Sequence, residues 1–248
     1  MTPEQPIEHL GPITCAKPER LLQHGAVADT WLLRQNNDAF VLRIDRPLAA
    51  RLGLDRIGEQ AVLAAVAEAG IGPSVAAADP EHGLLVTRYL EGRVWTDDDL
   101  HEPAQLVRLG TLLRRVHSIP VTGPALDLTA AAQRYAQAAG SREAQQAAHQ
   151  LHTLLPAKRK RPCLCHGDPT ASNILDDGRL MLLDWEYSGL GDPLFDLAVV
   201  IRHHALDSAE SDVLMAGYGL GERARTCLPR WFEVYDALRV LWSLATGT

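Results

Sequence analysis

Disulfide chemistry has little to work with in this chain. Its 248 residues contain four cysteines, Cys15, Cys163, Cys165 and Cys227, without the spacing of a disulfide framework, which fits reduced thiols in a cytosol. No apolar run approaches the ~18 residues needed to span a bilayer. The opening MTPEQPIEHLGPITC has no basic segment followed by an apolar run, so no secretory signal is expected. Positive charge is in deficit as well. Lys and Arg number 24 against 31 Asp and Glu, a net charge of -7, which makes nucleic acid and anionic membrane poor partners and a cationic small molecule an easier one. Zinc lacks its ligands: Cys163-x-Cys165-His166 has no later Cys-x-x-Cys or His-x-x-x-His pair, and Cys227 alone does not complete a tetrahedron. These absences leave a soluble, cytoplasmic protein, 46% hydrophobic and 22% charged, long enough for one large domain or two lobes around a full core.

The chemistry is concentrated between Cys163 and Ala198. A short apolar run, Cys163 to Cys165, passes into a polar loop, His166 to Asn173. The turn Asp176-Asp177-Gly178 then separates Ile174-Leu175 from Leu180 to Leu183, the pattern of a β-hairpin. That hairpin brings Asp168 and Asn173, from the loop before it, and Asp184, from its far end, towards one spot. Two carboxylates and a carboxamide are oxygen donors that suit Mg²⁺ and phosphoryl transfer better than a softer metal.

The spacing sharpens this. His166-Gly167-Asp168, four residues, then Asn173 matches the kinase catalytic-loop pattern H-x-D-x-x-x-x-N, in which Asp accepts the hydroxyl proton and Asn holds Mg²⁺. Asp184-Trp185-Glu186 stands where those enzymes carry Asp-Phe-Gly. With Gly167 in place of Arg, and with Gly191-Asp192-Pro193 and Asp196-Leu197-Ala198 downstream, the stretch resembles the aminoglycoside phosphotransferase and choline kinase superfamily. Its DWEYSGLGDPLFDLA segment is most similar to the choline kinase and thiamine kinase branches. The resemblance implies that Asp168 is the base and that Asn173 and Asp184 hold Mg²⁺. It also implies that Asp196 accepts backbone hydrogen bonds from the catalytic loop. His166 reads as packed beneath that loop, its ring holding Asp168 through the backbone.

Up to about Leu22 the chain reads as a short helix and strand or an arm. Thr30 to Arg34 and Phe40 to Ile44 flank the polar turn Gln35-Asn36-Asn37-Asp38, another hairpin. Gly25, just before it, reads either as the close approach of backbone to a phosphate or as an ordinary turn glycine, because the loop lacks the glycine-rich form common in kinases. Arg43 ends a strand where kinases place their phosphate-pairing Lys, and the resembling family often has Leu-Arg here. Sixteen residues on, Glu59 opens an amphipathic run (Val62, Leu63, Val66, Ala67) that ends at Gly70. It is placed like the helix Glu that pairs with the strand cation. Strands are expected over Ser74 to Ala78 and Gly83 to Tyr89, followed by Leu90-Glu91-Gly92, which resembles the family's hinge. By that resemblance, backbone groups of Arg88, Tyr89 and Leu90 bind the adenine edge, with Thr87 at the back of the pocket.

Helices dominate thereafter. Asp97-Asp98-Asp99 reads as capping chemistry, and Leu106 to Val116 has helical period, with His117 packed. Leu128 to Ala139 and Ser141 to Leu155 form two helices, the second with solvated His149 and His152. Lys158-Arg159-Lys160-Arg161 reads as a solvated linker in an acidic chain. Pro193 to His204 is a helix with Asp192 as N-cap, and two or three more follow from Ser208. Trp185, Tyr187, Trp231, Tyr235 and Trp242 read either as core or as part of an aromatic cage for a cation, with Glu186 adding negative charge.

The expected architecture is α+β, a two-lobed protein-kinase-like fold with a sheet N-lobe over residues 1–88 and a mainly helical C-lobe over 89–248. The expected reaction is ATP- and Mg²⁺-dependent phosphorylation of a hydroxyl on a small molecule, of choline, ethanolamine or thiamine type. An aminoglycoside or amino-sugar kinase and a non-catalytic nucleotide-binding module are the alternatives. Six residues between Asp184 and Gly191 leave no room for an activation segment, which argues against a regulated protein kinase.

Overall fold

Asn36 takes a left-handed φ of 54°, which Asn tolerates better than most residues, and so closes a two-residue turn. The turn joins β2 (Ala28–Gln35) to β3 (Asp38–Asp45) in antiparallel register from Ala28↔Asp45 to Gln35↔Asp38. The structure, a computed structural model, describes residues 10–13, 15–156 and 161–247. β1 (Lys17–His24) adds to β2, so the segment that sequence left open between helix, strand and arm is a strand after a short 3₁₀ turn at Gly11–Ile13. β4 (Val75–Asp79) and β5 (Leu84–Arg88) complete a five-stranded sheet of order β1-β2-β3-β5-β4.

Alternation along β5 divides the core. Leu84 and Val86 join Leu33, Phe40, Leu42 and Ile44 beneath Leu10 and Ile13 on one face. Leu85 turns to the other face and meets Val62, Leu63 and Val66 of the helix α2 (Arg56–Glu68). α2 begins three residues before Glu59, because Asp55 caps it by accepting the Gly58 N–H at 2.9 Å. A shorter helix, α1 (Pro47–Leu52), precedes it.

Beyond Arg88 the chain is mainly helical. β6 (Arg93–Val94) leads to Asp97–His101, a 3₁₀ turn whose Thr96 and Asp99 form a capping box, as the acidic triplet suggested. α3 (Pro103–Val116), α4 (Leu128–Ala139) and α5 (Arg142–Leu154) follow. His149 and His152 are exposed, and of the basic run only Arg161 lies within the described residues. β7 (Cys163–Cys165) does not stand alone: it pairs with β10 (Gly189–Gly191), a strand that was not anticipated. Between them, β8 (Ile174–Asp176) and β9 (Leu180–Leu182) form the expected hairpin. α6 (Pro193–His203), α7 (Ser208–Tyr218), the short α8 (Glu222–Arg225) and α9 (Leu228–Thr246) close the chain. Leu52 of α1 packs with Ala132 and Tyr135 of α4 and Leu241 of α9, which ties the first helix to the helical region. Among the described residues no helix is long and apolar enough to cross a membrane.

Candidate active site

The loop around Asp168 hangs from one buried carboxylate. Asp196, fully buried in the first turn of α6, accepts the His166 N–H at 2.8 Å and the Gly167 N–H at 2.9 Å. His117, which ends α3, donates to it from Nε2 at 3.0 Å. Asp192 caps α6 by accepting the Leu194 N–H. The His166 ring lies under the loop. Its Nδ1 accepts the Asp168 N–H at 3.2 Å, so its Nε2 carries the proton given to the Leu183 carbonyl at 2.9 Å. Burial holds this imidazole below its ordinary pKa, in the neutral form that such a pattern needs. Asn173 donates from Nδ2 to the Asp168 carbonyl at 2.9 Å and to its carboxylate at 3.0 Å.

Gly167 adopts φ +87°, and a Cβ there would lie 2.4 Å from the Tyr187 carbonyl oxygen. The loop and the turn after Asp184 approach too closely for any side chain. Gly167→Ala is expected to destabilise the protein by about 2 kcal/mol or more, read as a lower denaturant midpoint, and to reduce turnover with it.

The sheet contributes a cluster of charges. Arg43 forks onto Glu59 with both contacts at 2.6 Å, and reaches Asp184 at 3.5 Å. Sequence spacing anticipated this pair. It did not anticipate Arg56, which binds both oxygens of Asp45 at 2.6 and 2.7 Å and also touches Glu59 and Glu186, each at 3.1 Å. The one available signal was the i,i+3 spacing of Arg56 and Glu59 at a helix start. Burial works against the charge of Arg43, but the Glu59 carboxylate, with Glu186 and Asp184 behind it, outweighs burial and raises its pKa. Arg56 is raised by the same contest, with Asp45 as its main support.

Carboxyls in this enclosure are also raised, which for them favours the neutral form. Removal from water, then the charge of Glu186, raises Asp168 to about 6 against the hydrogen bond from Asn173. Burial and Asp184 push Glu186 up to about 7, opposed by Arg43 and Arg56. Asp184 is also raised by burial, against Arg43. Its side chain is 40% exposed where that of Glu186 is 5%, so water screens the push on Asp184 far more. Asp184 takes a left-handed φ of 57°, a strained conformation of the sort held at functional sites. Leu183, beside it, donates its N–H to the Asn173 carbonyl at 2.8 Å, which brings the two candidate metal ligands together. Asn173 commits its amide nitrogen to Asp168 and keeps an amide oxygen, while Asp184 offers a partly exposed carboxylate; this donor set fits Mg²⁺. His117, Cys165 and Asp196 also place ligand atoms within 4.8 Å of one another, but the Asp196 oxygens are taken by two backbone N–H groups and His117.

Beside Asp168 opens a cavity of about 380 Å³. Tyr187, Tyr235 and Trp242 line it, as does Glu186. Two other aromatics expected there do not. Trp185 is fully buried, donates to the Leu182 carbonyl at 3.0 Å and packs with its ring tilted against His166, centres 4.6 Å apart, so it is a core residue. Trp231 is buried against Phe195, with ring centres 6.0 Å apart, and does not line the cavity. Tyr135 of α4 takes their place, edge-on to Trp242 at 5.6 Å, and Tyr187 meets the same indole at 5.7 Å.

The hinge expectation narrows. The Arg88 N–H donates to the Ser74 carbonyl and the Tyr89 N–H to that of Ala39, so both are committed to the sheet; the Leu90 N–H has no partner among the described residues. The Arg88 side chain points outward, to Asp38 and over Phe40. Thr87 is buried in β5. Gly25 lies in the tight turn before β2, donates to the Ala28 carbonyl at 2.9 Å, and is not part of the cavity wall.

Residues 19–230 match the family described as Phosphotransferase enzyme family. Protein LicA of Haemophilus influenzae is 30% identical over 234 residues, which cover 83% of this chain and 67% of that protein. The crystal structure of a choline/ethanolamine kinase family protein from Mesorhizobium loti superposes with a TM-score of 0.73 at 26% identity, covering 97% of this chain and 84% of the other. That of choline kinase LicA from Streptococcus pneumoniae superposes with a TM-score of 0.79 at 17% identity, over 98% and 89%, a likeness of fold. With a sheet region followed by a helical region in the arrangement of these kinases, and a family match over most of its length, the chain belongs to the phosphotransferase enzyme family.

Proposed function

We propose that the protein transfers the γ-phosphoryl group of ATP to a hydroxyl of a small molecule bearing a cationic group, of the choline, ethanolamine or thiamine type. One observation carries this reading: Asp168, oriented by Asn173 and by the His166 ring, lies at the wall of a cavity whose other walls include Tyr135, Tyr187, Tyr235 and Trp242. Asp168 would orient the alcohol and accept its proton. Arg43, held by Glu59, would neutralise phosphate charge, and the Leu90 N–H is left to meet the adenine edge. Asn173 and Asp184 would hold Mg²⁺, which when bound draws charge from the phosphates. Such transfers rest on positioning and charge stabilisation. We take the end of β5 as the boundary between a nucleotide-clamping part, residues 1–88, and an acceptor-binding part, 89–248. No disulfide joins the four cysteines, in keeping with a cytoplasmic setting.

The names of two of the kinases with the same fold favour the choline type. An amino-sugar kinase would need acidic groups in place of the aromatic wall. Besides Asp168, the acidic residues Asp55, Asp127, Glu59 and Glu186 border the cavity, but the first two cap α2 and α4 and the last two are held by Arg43 and Arg56. ATP consumption over choline, ethanolamine, thiamine, kanamycin and amino sugars tests the reading. Turnover with the first three supports it. Turnover with kanamycin alone replaces it, and tight Mg-ATP binding without any turnover assigns a non-catalytic module.

A pH profile follows from the same geometry. The base works as a carboxylate, and the folded environment makes Asp168 keep its proton up to about pH 6. Activity is therefore present above that value and lost as pH falls through it, about tenfold per unit in kcat/KM. With Asp184 and Glu186 nearby, the measured midpoint belongs to the group of carboxyls rather than to one.

A further inference from the structure

The acceptor cavity contains two arginines that the proposed chemistry does not use. Arg134 stands on α4 one residue before Tyr135, and Arg239 stands on α9 between Tyr235 and Trp242. On the nucleotide side of the site the guanidinium ends are matched to carboxylates, Arg43 to Glu59 and Arg56 to Asp45, although the Nε of Arg43 also has no hydrogen bond. Neither Arg134 nor Arg239 has a hydrogen bond or a carboxylate partner among the described residues. Arg134 is also held in place. Its stem lies over Gly53, the left-handed cap of α1, where a Cβ would sit 2.6 Å from its Cδ and 2.9 Å from its Nε. The Nε is buried and finds no acceptor. The Tyr187 hydroxyl, on the same cavity wall, is likewise buried and unpartnered. A buried guanidinium N–H without an acceptor calls for an explanation. A fixed guanidinium fork with its Nε free is built to take a planar carboxylate through two parallel hydrogen bonds.

Resting on the phosphotransferase reading, we propose that the alcohol phosphorylated at Asp168 also carries a carboxylate, which Arg134 binds at the far side of the cavity with Arg239 adding positive charge. Its ammonium group lies among Tyr135, Tyr187, Tyr235 and Trp242. Within the cationic-alcohol type proposed above, the preferred acceptor is thus a carboxylate-bearing member, a zwitterionic hydroxy-amino acid or hydroxy-betaine.

The test uses matched pairs that differ by the carboxylate alone: ethanolamine against serine, 3-aminopropanol against homoserine, choline against N,N,N-trimethylserine. With the full chain and Mg-ATP, the carboxylate member of at least one pair should show a kcat/KM at least about tenfold higher, as expected for one charge-assisted contact. Arg134→Gln should erase that ratio, Arg134→Lys should restore part of it, and Arg239→Gln should lower it by less. Equal or reversed ratios in the wild type, or a ratio unmoved by Arg134→Gln, overturn the proposal. Calorimetric binding of the same pairs in the presence of Mg-ADP separates the two levels of inference. Carboxylate-dependent binding that needs Arg134 but comes without turnover upholds the binding site and sinks the reaction.

Discussion

Asp168→Asn should lower turnover by about 10²–10⁴ while leaving the affinity for Mg-ATP within a few-fold of the wild type. The substitution is close to isosteric. The amide oxygen of the new side chain can still accept from Asn173 Nδ2, now 3.0 Å from the carboxylate, and the backbone bonds of Asp168 to His166 and Asn173 do not involve its side chain. What is lost is the ability to take a proton. Nucleotide contacts proposed for Arg43, Asp184 and Leu90 are untouched. Equilibrium titration with a fluorescent ATP analogue and a coupled assay give the two quantities separately. Retained turnover would remove Asp168 from the role of base. Loss of both would mean that Asp168 belongs to the nucleotide side.

The second large effect falls on a residue that touches neither substrate. Asp196→Ala strips the acceptor from two buried N–H groups and from His117. Unsatisfied buried groups cost about 1–3 kcal/mol each, so a total loss of about 3–5 kcal/mol is expected. For a chain of this size that is a fall of roughly 6–20 °C in Tm, measurable by calorimetry. Activity should fall even below the new Tm, because the His166-Gly167-Asp168 segment loses its anchor. The pH behaviour adds a sign. Burial works to raise the Asp196 carboxyl, but His117, with the loop N–H groups, holds it below the usual carboxylate range. Its contribution to stability is therefore present above the ordinary unfolded value and lost as pH falls towards the lowered one. An Asp196→Ala protein as stable as the wild type would show that another group holds the loop.

Residues close in sequence, or joined by a familiar spacing, were legible. The Asp-Gly turn announced β8 and β9, Asp192-Pro193 announced the start of α6, and the sixteen-residue interval from Arg43 to Glu59 became a bidentate pair. Contacts set by tertiary packing were not. Tyr135 enters the acceptor wall because α4 packs on α9, an association of segments a hundred residues apart with no local signature. Asp45 and Arg56 meet because β3 runs out beside the first turn of α2. The choice between core and cage for Trp185 was not legible for a related reason. The left-handed backbone at Asp184 redirects the chain, so Trp185 enters the core against His166 while Glu186 and Tyr187 face the cavity. No periodicity in DWEY reports such a turn.

The clasp of Arg43 and Arg56 on Asp45, Glu59 and Glu186 joins β3 and α2 to the turn that follows Asp184. Its members are almost wholly shielded from solvent, unlike the outer pair Arg34 and Glu19, whose side chains are 47% and 42% exposed. Mobile ions screen exposed charges within about 10 Å at 0.1 M salt but penetrate a sealed cluster poorly. Raising ionic strength should therefore slow the capture of charged ligands from bulk while the two halves stay locked in register, so that salt acts on arrival and not on alignment.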